Sequence, residues 1–218
     1  MDRITGIISA LQEVYKKPEP ELKFSNHFEL IVAVILSAQC TDKRVNLVTS
    51  KLFKICPDAL SLSSIDLVEL ENIIKPCGFY HNKAKALKSM ACDLVSLYNG
   101  EVPADKEKLK KLAGVGEKTA NVVLGAGFSV PAIAVDTHVF RVSNRLGLAK
   151  SKTPSGVQKQ LEKILPKDYW VDAHHSLVLH GRYVCKSRKP DCVNCKLRKY
   201  CKFYEEQELP FIGKSNKK

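Results

Sequence analysis

Apolar residues recur every three to four positions along almost the whole chain, a spacing typical of amphipathic helices. The pattern predicts helices over residues 3–15, 28–38, 43–54, 64–75, 82–98, 137–146, 154–165 and 170–184. Asp105 is a candidate N-cap for a short helix that ends at Lys111, and a further helix contains Lys118. No alternating strand pattern competes with these helices. The sequence therefore predicts an all-α protein.

The segment FSVPAIAVD, residues 128–136, interrupts the helical pattern. We expect the chain to cross there from one helical lobe to a second. The run from Phe28 to Ala38 is apolar on every side and predicts a fully buried helix, but it is shorter than the roughly 20 residues that a membrane span needs. The N-terminus has no export signal. We therefore expect a soluble cytoplasmic protein with no membrane partner.

Charge points to the class of partner. The 35 Lys and Arg residues exceed the 23 Asp and Glu residues, which gives a formal net charge of +12. An excess of this size indicates a polyanionic partner, most often nucleic acid and less often a membrane surface.

Four of the eight cysteines form a group with the spacing C-x6-C-x2-C-x5-C: Cys185, Cys192, Cys195 and Cys201. Four thiolates this close bind tetrahedral zinc or hold an iron–sulfur cluster, and the single short C-x2-C knuckle favours the cluster. Basic residues, among them Arg188 and Lys189, greatly outnumber acids around them. The segment is interpreted as a phosphate-contacting surface rather than a merely solvated basic face.

The segment LAGVG, residues 112–116, predicts a tight turn between two helices. The N–H groups of Gly114, Val115 and Gly116 then lie at the start of the next helix, where unpaired donors and the helix dipole favour an anion such as a DNA phosphate. An ordinary helical hairpin is the alternative for two glycines alone.

Lys118 and Asp136 are the candidate catalytic residues. Lys118 lies in the first turn of its helix, where the dipole disfavours another positive charge, and a neutral amine is the form that attacks carbon and makes Schiff bases. Asp136 precedes a helical pattern and is a natural N-cap. A carboxylate fixed by capping can also take a proton from an amine, so the structural and catalytic roles are compatible.

Gln39 and Phe79 each allow two interpretations, one structural and one functional. Gln39, in LSAQCTD, is either a satisfied amide at the end of a buried helix or a group that pairs with a base edge inside a DNA stack. Phe79 follows PCG and precedes a helix, so it either displays its ring from a glycine turn or packs between helices.

Together these segments resemble the endonuclease III family of DNA glycosylases, within the helix-hairpin-helix superfamily. The matching segments run in family order over about residues 25–203: LSAQCTD, GFYHNKA, LAGVGEKTANVVL, VDTHVFRV and LHGRYVCKSRKPDC, followed by the cysteine spacing. This chain departs from the common family pattern at three positions, with Ala113 for a proline, Cys40 for an alanine and Phe79 for a leucine.

The resemblance implies a six-helix domain over residues 21–131 and a cluster domain built from residues 1–20 and 132–218, with the cluster loop over 185–201. It implies a [4Fe-4S] cluster on the four grouped cysteines that serves structure and DNA contact. It also implies Lys118 as the Schiff-base nucleophile and Asp136 as the catalytic carboxylate. Gln39 and Phe79 then fill and wedge the gap left by a flipped nucleotide.

The implied function is base excision repair by a monomer acting on double-stranded DNA with damaged bases or abasic sites. Such an enzyme removes oxidised pyrimidines and cleaves 3′ to the abasic site by β-elimination. The alternatives are a mismatch or adenine glycosylase of the same superfamily, which lacks the lysine at this position, and a non-catalytic iron–sulfur regulator, which would not need the pair of Lys118 and Asp136.

Overall fold

The structure, a computed structural model, describes residues 2–206 of the 218-residue chain. Its helices are α1 Arg3–Val14, α2 His27–Leu36, α3 Asp42–Ile55, α4 Ala59–Ser64, α5 Leu67–Ile74, α6 Tyr80–Tyr98, α7 Lys106–Lys111, α8 Glu117–Phe128, α9 Thr137–Leu146, α10 Pro154–Ile164 and α11 Trp170–Tyr183. Residues 202–206 are also helical. Every regular element in this described part is helical, which confirms the all-α prediction. No helix within it has the length and apolar character needed to cross a membrane.

The chain divides into two compact units. We call Pro20–Ala132 the hairpin unit, and we call Met1–Glu19 together with Ile133–Lys218 the cysteine unit. The boundary after Ala132 lies inside the segment FSVPAIAVD, where the helical pattern breaks.

Helix α2 forms the centre of the hairpin unit. Every residue from Leu30 to Leu36 is buried, as the apolar run predicts, although the helix ends at Leu36 rather than at Ala38. Helices α3, α6 and α8 pack against it and bury Leu52, Leu87 and Val123 in the same core. A rigid buried helix therefore leads directly into the segment that carries Gln39.

The helix predicted over residues 64–75 is present as α5, Leu67–Ile74, but the hydrophobic pattern missed α4, which directly precedes it. Asp58 begins α4 with a capping box, in which its carboxylate accepts from the N–H of Ser61 and its own N–H donates to the Ser61 hydroxyl. Asp66 then caps α5 by accepting from the N–H groups of Val68 and Glu69. These caps begin two separate helices, so the hairpin unit has seven α-helices, one more than the hydrophobic pattern predicts.

In the cysteine unit, α9 packs closely against α11. A Cβ atom added at Gly181 would lie only 2.7 Å from the Cβ of His138, so glycine is needed for the approach of these helices. Helix α1 packs on α11 and buries Ile7 and Leu11. Because α11 ends at Tyr183, two residues before Cys185, this packing fixes where the cysteine-bearing loop begins.

Candidate functional site

The turn between α7 and α8 is a helix-hairpin-helix. Gly114 has φ +79°, and a Cβ atom there would lie 3.1 Å from the Cβ of Ala86, so the position favours glycine twice over. The side chain of Val115 is buried and anchors the turn, and its N–H donates to the Leu112 carbonyl at 3.1 Å. Among these three turn residues, this leaves the N–H groups of Gly114 and Gly116 for a phosphate.

Gly116 is the N-cap of α8, and no side chain caps that helix. A Cβ atom added at Gly116 would meet nothing within 4 Å, so a ligand can approach the backbone closely. The exposed N-terminus of a 12-residue helix, with unpaired N–H groups, favours an anion. The phosphate site that the sequence predicts at Gly114, Val115 and Gly116 stays a prediction, and the N–H of Val115 is already used within the turn.

Lys118 is exposed in the first turn of α8. Its neighbour Glu117 forms ion pairs with Lys106 and, at 3.4 Å, with Lys110, whereas the amine of Lys118 has no ion pair or hydrogen bond with any described residue. Beyond it Ala120 is buried, as the apolar sequence predicts. The amine is thus held on a rigid helix and is available to react.

Gln39 and Phe79 both lie in turns with strained backbone. Their φ angles are 54° and 48°, in the left-handed region that non-glycine residues rarely occupy. Phe79 follows Gly78 and precedes α6, and its side chain is 64% exposed, which excludes packing between helices. Gln39 is likewise exposed, so it is not a satisfied core amide. Strain of this kind clusters at functional sites.

Asp136 begins α9 in the cysteine unit. Its Oδ1 accepts hydrogen bonds of 2.8 Å and 2.7 Å from the N–H groups of His138 and Val139, which confirms the predicted N-cap. Both bonds within the unit use Oδ1, so the half-buried carboxylate keeps Oδ2 for a ligand. Capping fixes the orientation of this group.

The four grouped cysteines line one pocket of the cysteine unit. Leu146, Val184 and Pro190 contribute apolar walls. Burial raises the pKa of the Cys195 thiol to about 11 and also raises those of Cys192 and Cys201. Thiols in such a setting ionise readily only when a metal binds them, because the positive charge of the metal compensates for the lost hydration of the thiolate.

Polar groups around the pocket hold the sulfurs in place. Arg145 donates to the Cys185 sulfur at 3.5 Å and to the Lys186 and Ser187 carbonyls at 2.7 and 3.1 Å. His180 lies 3.5 Å from the Cys195 sulfur. Sequence reasoning missed Arg145, although Arg141 and Arg145 share one face of α9 at i, i+4 spacing and both reach the loop.

Arg188 and Lys189 are exposed in the loop that Arg145 holds. Lys189 has φ 52°, so the backbone at this point is strained as well. A loop whose shape is fixed by its own hydrogen bonds and that displays adjacent cations is suited to contact phosphates. This loop and Asp136 belong to the cysteine unit, whereas Lys118, Gln39 and Phe79 belong to the hairpin unit.

Residues 32–167 match the family described as HhH-GPD superfamily base excision DNA repair protein. Endonuclease III of Haemophilus influenzae is 45% identical over 93% of this chain and 96% of its own, and endonuclease III of Escherichia coli is 42% identical over the same shares.

Solved structures agree. A trapped endonuclease III–DNA covalent intermediate is similar with a TM-score of 0.90 and 42% identity, over 95% of this chain and 99% of that one. A non-covalent endonuclease III–DNA complex also gives a TM-score of 0.90 and 42% identity, over 96% and 99%. A thermostable thymine-DNA glycosylase, 23% identical with a TM-score of 0.81 over 93% and 95%, shares the fold.

Proposed function

Because the chain belongs to the endonuclease III family of base excision repair DNA glycosylases and AP lyases, we propose that Lys118 and Asp136 perform its chemistry on oxidised pyrimidines in duplex DNA. The observation that carries this proposal is the exposed, unpaired amine of Lys118, which follows the hairpin in the first turn of α8. A lysine amine is a nucleophile that forms Schiff bases with carbonyl carbons.

The reaction begins when the damaged nucleotide is flipped out of the duplex, at a cost of a few kcal/mol that damage lowers. The nitrogen of Lys118 attacks C1′, the bond from C1′ to the base breaks, and the base leaves with the bonding electron pair. Asp136 accepts the proton that the amine loses and stabilises positive charge that develops on the sugar. Protonation of the ring oxygen by water opens the sugar ring and gives a protonated imine between Lys118 and C1′, while the departing base also takes up a proton from water.

Strand cleavage follows from that imine. The imine acidifies the C2′ proton, and loss of this proton expels the 3′ phosphate by β-elimination. The bond from C3′ to its oxygen breaks, and the electron pair leaves with the phosphate. Hydrolysis of the imine then returns the free amine of Lys118.

The remaining site residues bind the DNA in this proposal. The N–H groups of Gly114 and Gly116 hold a phosphate, and the cations of Arg188 and Lys189 contact the backbone. Gln39 fills the space left by the flipped nucleotide, and Phe79 wedges the stack open. Because bacterial chromosomal DNA lies in the cytoplasm, we expect the protein there, associated with the nucleoid and acting as a monomer.

The four cysteines fit a [4Fe-4S] cluster. All four cysteines line one apolar pocket of the cysteine unit. Their spacing, with a single short C-x2-C knuckle, favours a cluster over one zinc ion. When bound, the cluster supplies a rigid link between the four cysteines, and Arg145 and His180 supply hydrogen bonds to its ligands.

Borohydride trapping on DNA with an abasic site tests the proposal. The wild-type protein should give a covalent adduct, and Lys118→Gln should give none while it still binds the DNA, since phosphate contacts supply most of the affinity. Lys111→Gln, which removes another exposed lysine beside the hairpin, is the matched control and should trap normally. Efficient trapping by Lys118→Gln would overturn the assignment.

Trapping and excision assays together separate the alternative functions. A non-catalytic regulator would bind abasic DNA without forming an adduct. A mismatch or adenine glycosylase would excise thymine opposite guanine, or adenine opposite oxidised guanine, in preference to an oxidised pyrimidine. A panel of duplexes that carry one of these lesions each therefore tests the substrate class.

A further inference from the structure

One lysine of the hairpin unit is buried. Lys83, in the first turn of α6, is only 7% exposed. Its ammonium donates to the Ala38 carbonyl at 2.7 Å, the Leu36 carbonyl at 2.8 Å and the Cys77 carbonyl at 3.0 Å. An ammonium has three N–H donors, so these main-chain contacts use all of them.

The three carbonyls lie beside the two strained turns. Ala38 immediately precedes Gln39, and Cys77 lies two residues before Phe79. Lys83 also holds the second turn through its own main chain, because its N–H donates to the Phe79 carbonyl at 3.1 Å. One residue therefore contacts both of the turns that display the exposed side chains.

This arrangement has an electrostatic cost and an electrostatic gain. Burial lowers the pKa of Lys83. The carbonyl of Leu36 ends α2, where the negative end of the helix dipole favours a cation. If Lys83 served only to cap α2, its hydrogen bond to the Cys77 carbonyl, beside the turn that carries Phe79, would not be needed.

We propose that Lys83 is a positioning residue that ties the Gln39 turn to the Phe79 turn, so that both side chains enter the DNA in one fixed arrangement. The inference rests on the proposed function, in which these two side chains occupy the opened base stack. Residues held in left-handed conformations persist only where the surroundings fix them, and the Lys83 ammonium supplies that constraint to both turns at once. Preorganisation of this kind reduces the ordering needed when DNA binds.

Lys83→Met tests the inference because it keeps the length of the side chain and removes the donors. Lys88→Met is the matched control: Lys88 lies on the same helix and donates to the Ile65 carbonyl, in a different turn. Both variants are compared for base excision from duplex and for cleavage at a preformed abasic site. A 2-aminopurine beside the lesion reports the opening of the stack by its fluorescence.

In Lys83→Met, excision should fall by about 10- to 100-fold while cleavage at the abasic site changes by about twofold, since misplacement by even an ångström costs rate on this scale. The 2-aminopurine signal should fall in parallel. In Lys88→Met the two activities should change by the same factor and the fluorescence signal should be retained. If Lys83→Met also lowers both activities by one common factor and keeps the fluorescence signal, the inference is overturned.

Two measurements keep the test decisive if Lys83→Met does not fold. Lys83→Gln keeps two N–H donors and should give an intermediate loss of the excision rate and the fluorescence signal. In the wild-type protein, the Lys83 ammonium protons, observed by NMR with ¹⁵N-lysine, should remain protected from exchange when a non-reactive abasic analogue in duplex DNA is bound. Loss of that protection would refute the link between the turns. Failure of the proposed function is recognised separately, because the wild-type protein would then give no borohydride adduct.

Discussion

The main-chain N–H of Val139 donates a hydrogen bond of 2.7 Å to the carboxylate of Asp136, so the candidate catalytic carboxylate is also the N-cap of α9. Asparagine caps helices about as well as aspartate. Asp136→Asn should therefore leave the melting temperature almost unchanged. Base excision should fall by about 100-fold or more, the scale of a lost general acid–base group. Single-turnover excision from duplex DNA measures this directly.

Asp66→Asn is the control for that variant. Asp66 caps α5 with the same geometry, accepting from the N–H groups two and three residues on. It should lose neither stability nor activity. If Asp136→Asn lost stability and activity together, capping alone would explain Asp136.

Local patterns in the sequence predict much of this molecule, and contacts between distant residues account for what they miss. The caps Asp105 and Asp136 were predictable because a cap and its helix are adjacent in sequence. The capping box that begins α4 is also local, but this six-residue helix is too short for hydrophobic spacing to reveal it.

Lys83 was not predictable in the same way. Leu36 and Ala38 lie more than forty residues before it, and nothing in its own segment marks it as buried. The hairpin is another case that the sequence predicts only in part. Its glycines are evident in the sequence, but the use of the Val115 N–H within the turn is not. Which donors face a ligand is decided by three-dimensional structure, not by the motif.

If the four cysteines hold a [4Fe-4S] cluster, the purified protein should be brown and should contain about four iron atoms and no stoichiometric zinc. Cys195→Ser should lower the iron content and weaken DNA binding, because the loop that displays Arg188 and Lys189 loses one of its fixed points. Iron analysis and binding to duplex DNA at two salt concentrations measure the two effects. Cys92→Ser removes an exposed cysteine of the hairpin unit and should change neither. A colourless protein with one zinc ion would contradict the cluster.

His175 makes the stability of the cysteine unit depend on pH. Burial, with the neighbouring His174, lowers the pKa of His175 to about 3 from its ordinary value of 6.5. Below pH 6.5 the unfolded chain gains a proton that the folded protein cannot, so stability falls as the pH decreases. Each pH unit between these two values should remove up to about 1.4 kcal/mol.

His175→Leu should remove that part of the acid sensitivity. Melting temperatures of the wild type and the variant should run parallel from pH 7 to 8.5, where the histidine is neutral in both states. Below pH 6.5 the wild-type curve should fall more steeply. An equally steep fall in the variant would show that other groups dominate the response to acid.

Phe79 provides the sharpest test of how the hairpin unit opens DNA. Its ring is 64% exposed and its backbone is in the left-handed region, so truncation removes little packing. Phe79→Ala should change the free energy of unfolding by no more than about 0.5 kcal/mol. Leu97→Ala, which truncates a 68% exposed side chain on α6, is the matched control for stability and activity.

The expected effect of Phe79→Ala depends on whether the substrate DNA still has a stacked base at the damaged position. A wedge offsets the cost of unstacking a base step, a few kcal/mol, and this cost is largest for a lesion that remains stacked and paired. Excision from duplex should therefore slow by about tenfold or more, since each 1.36 kcal/mol of barrier is tenfold in rate. Cleavage at a preformed abasic site, which has no base to unstack, should change by about twofold. If both activities fell equally, the ring would assist binding in general, and the wedge would have to be sought at Gln39 instead.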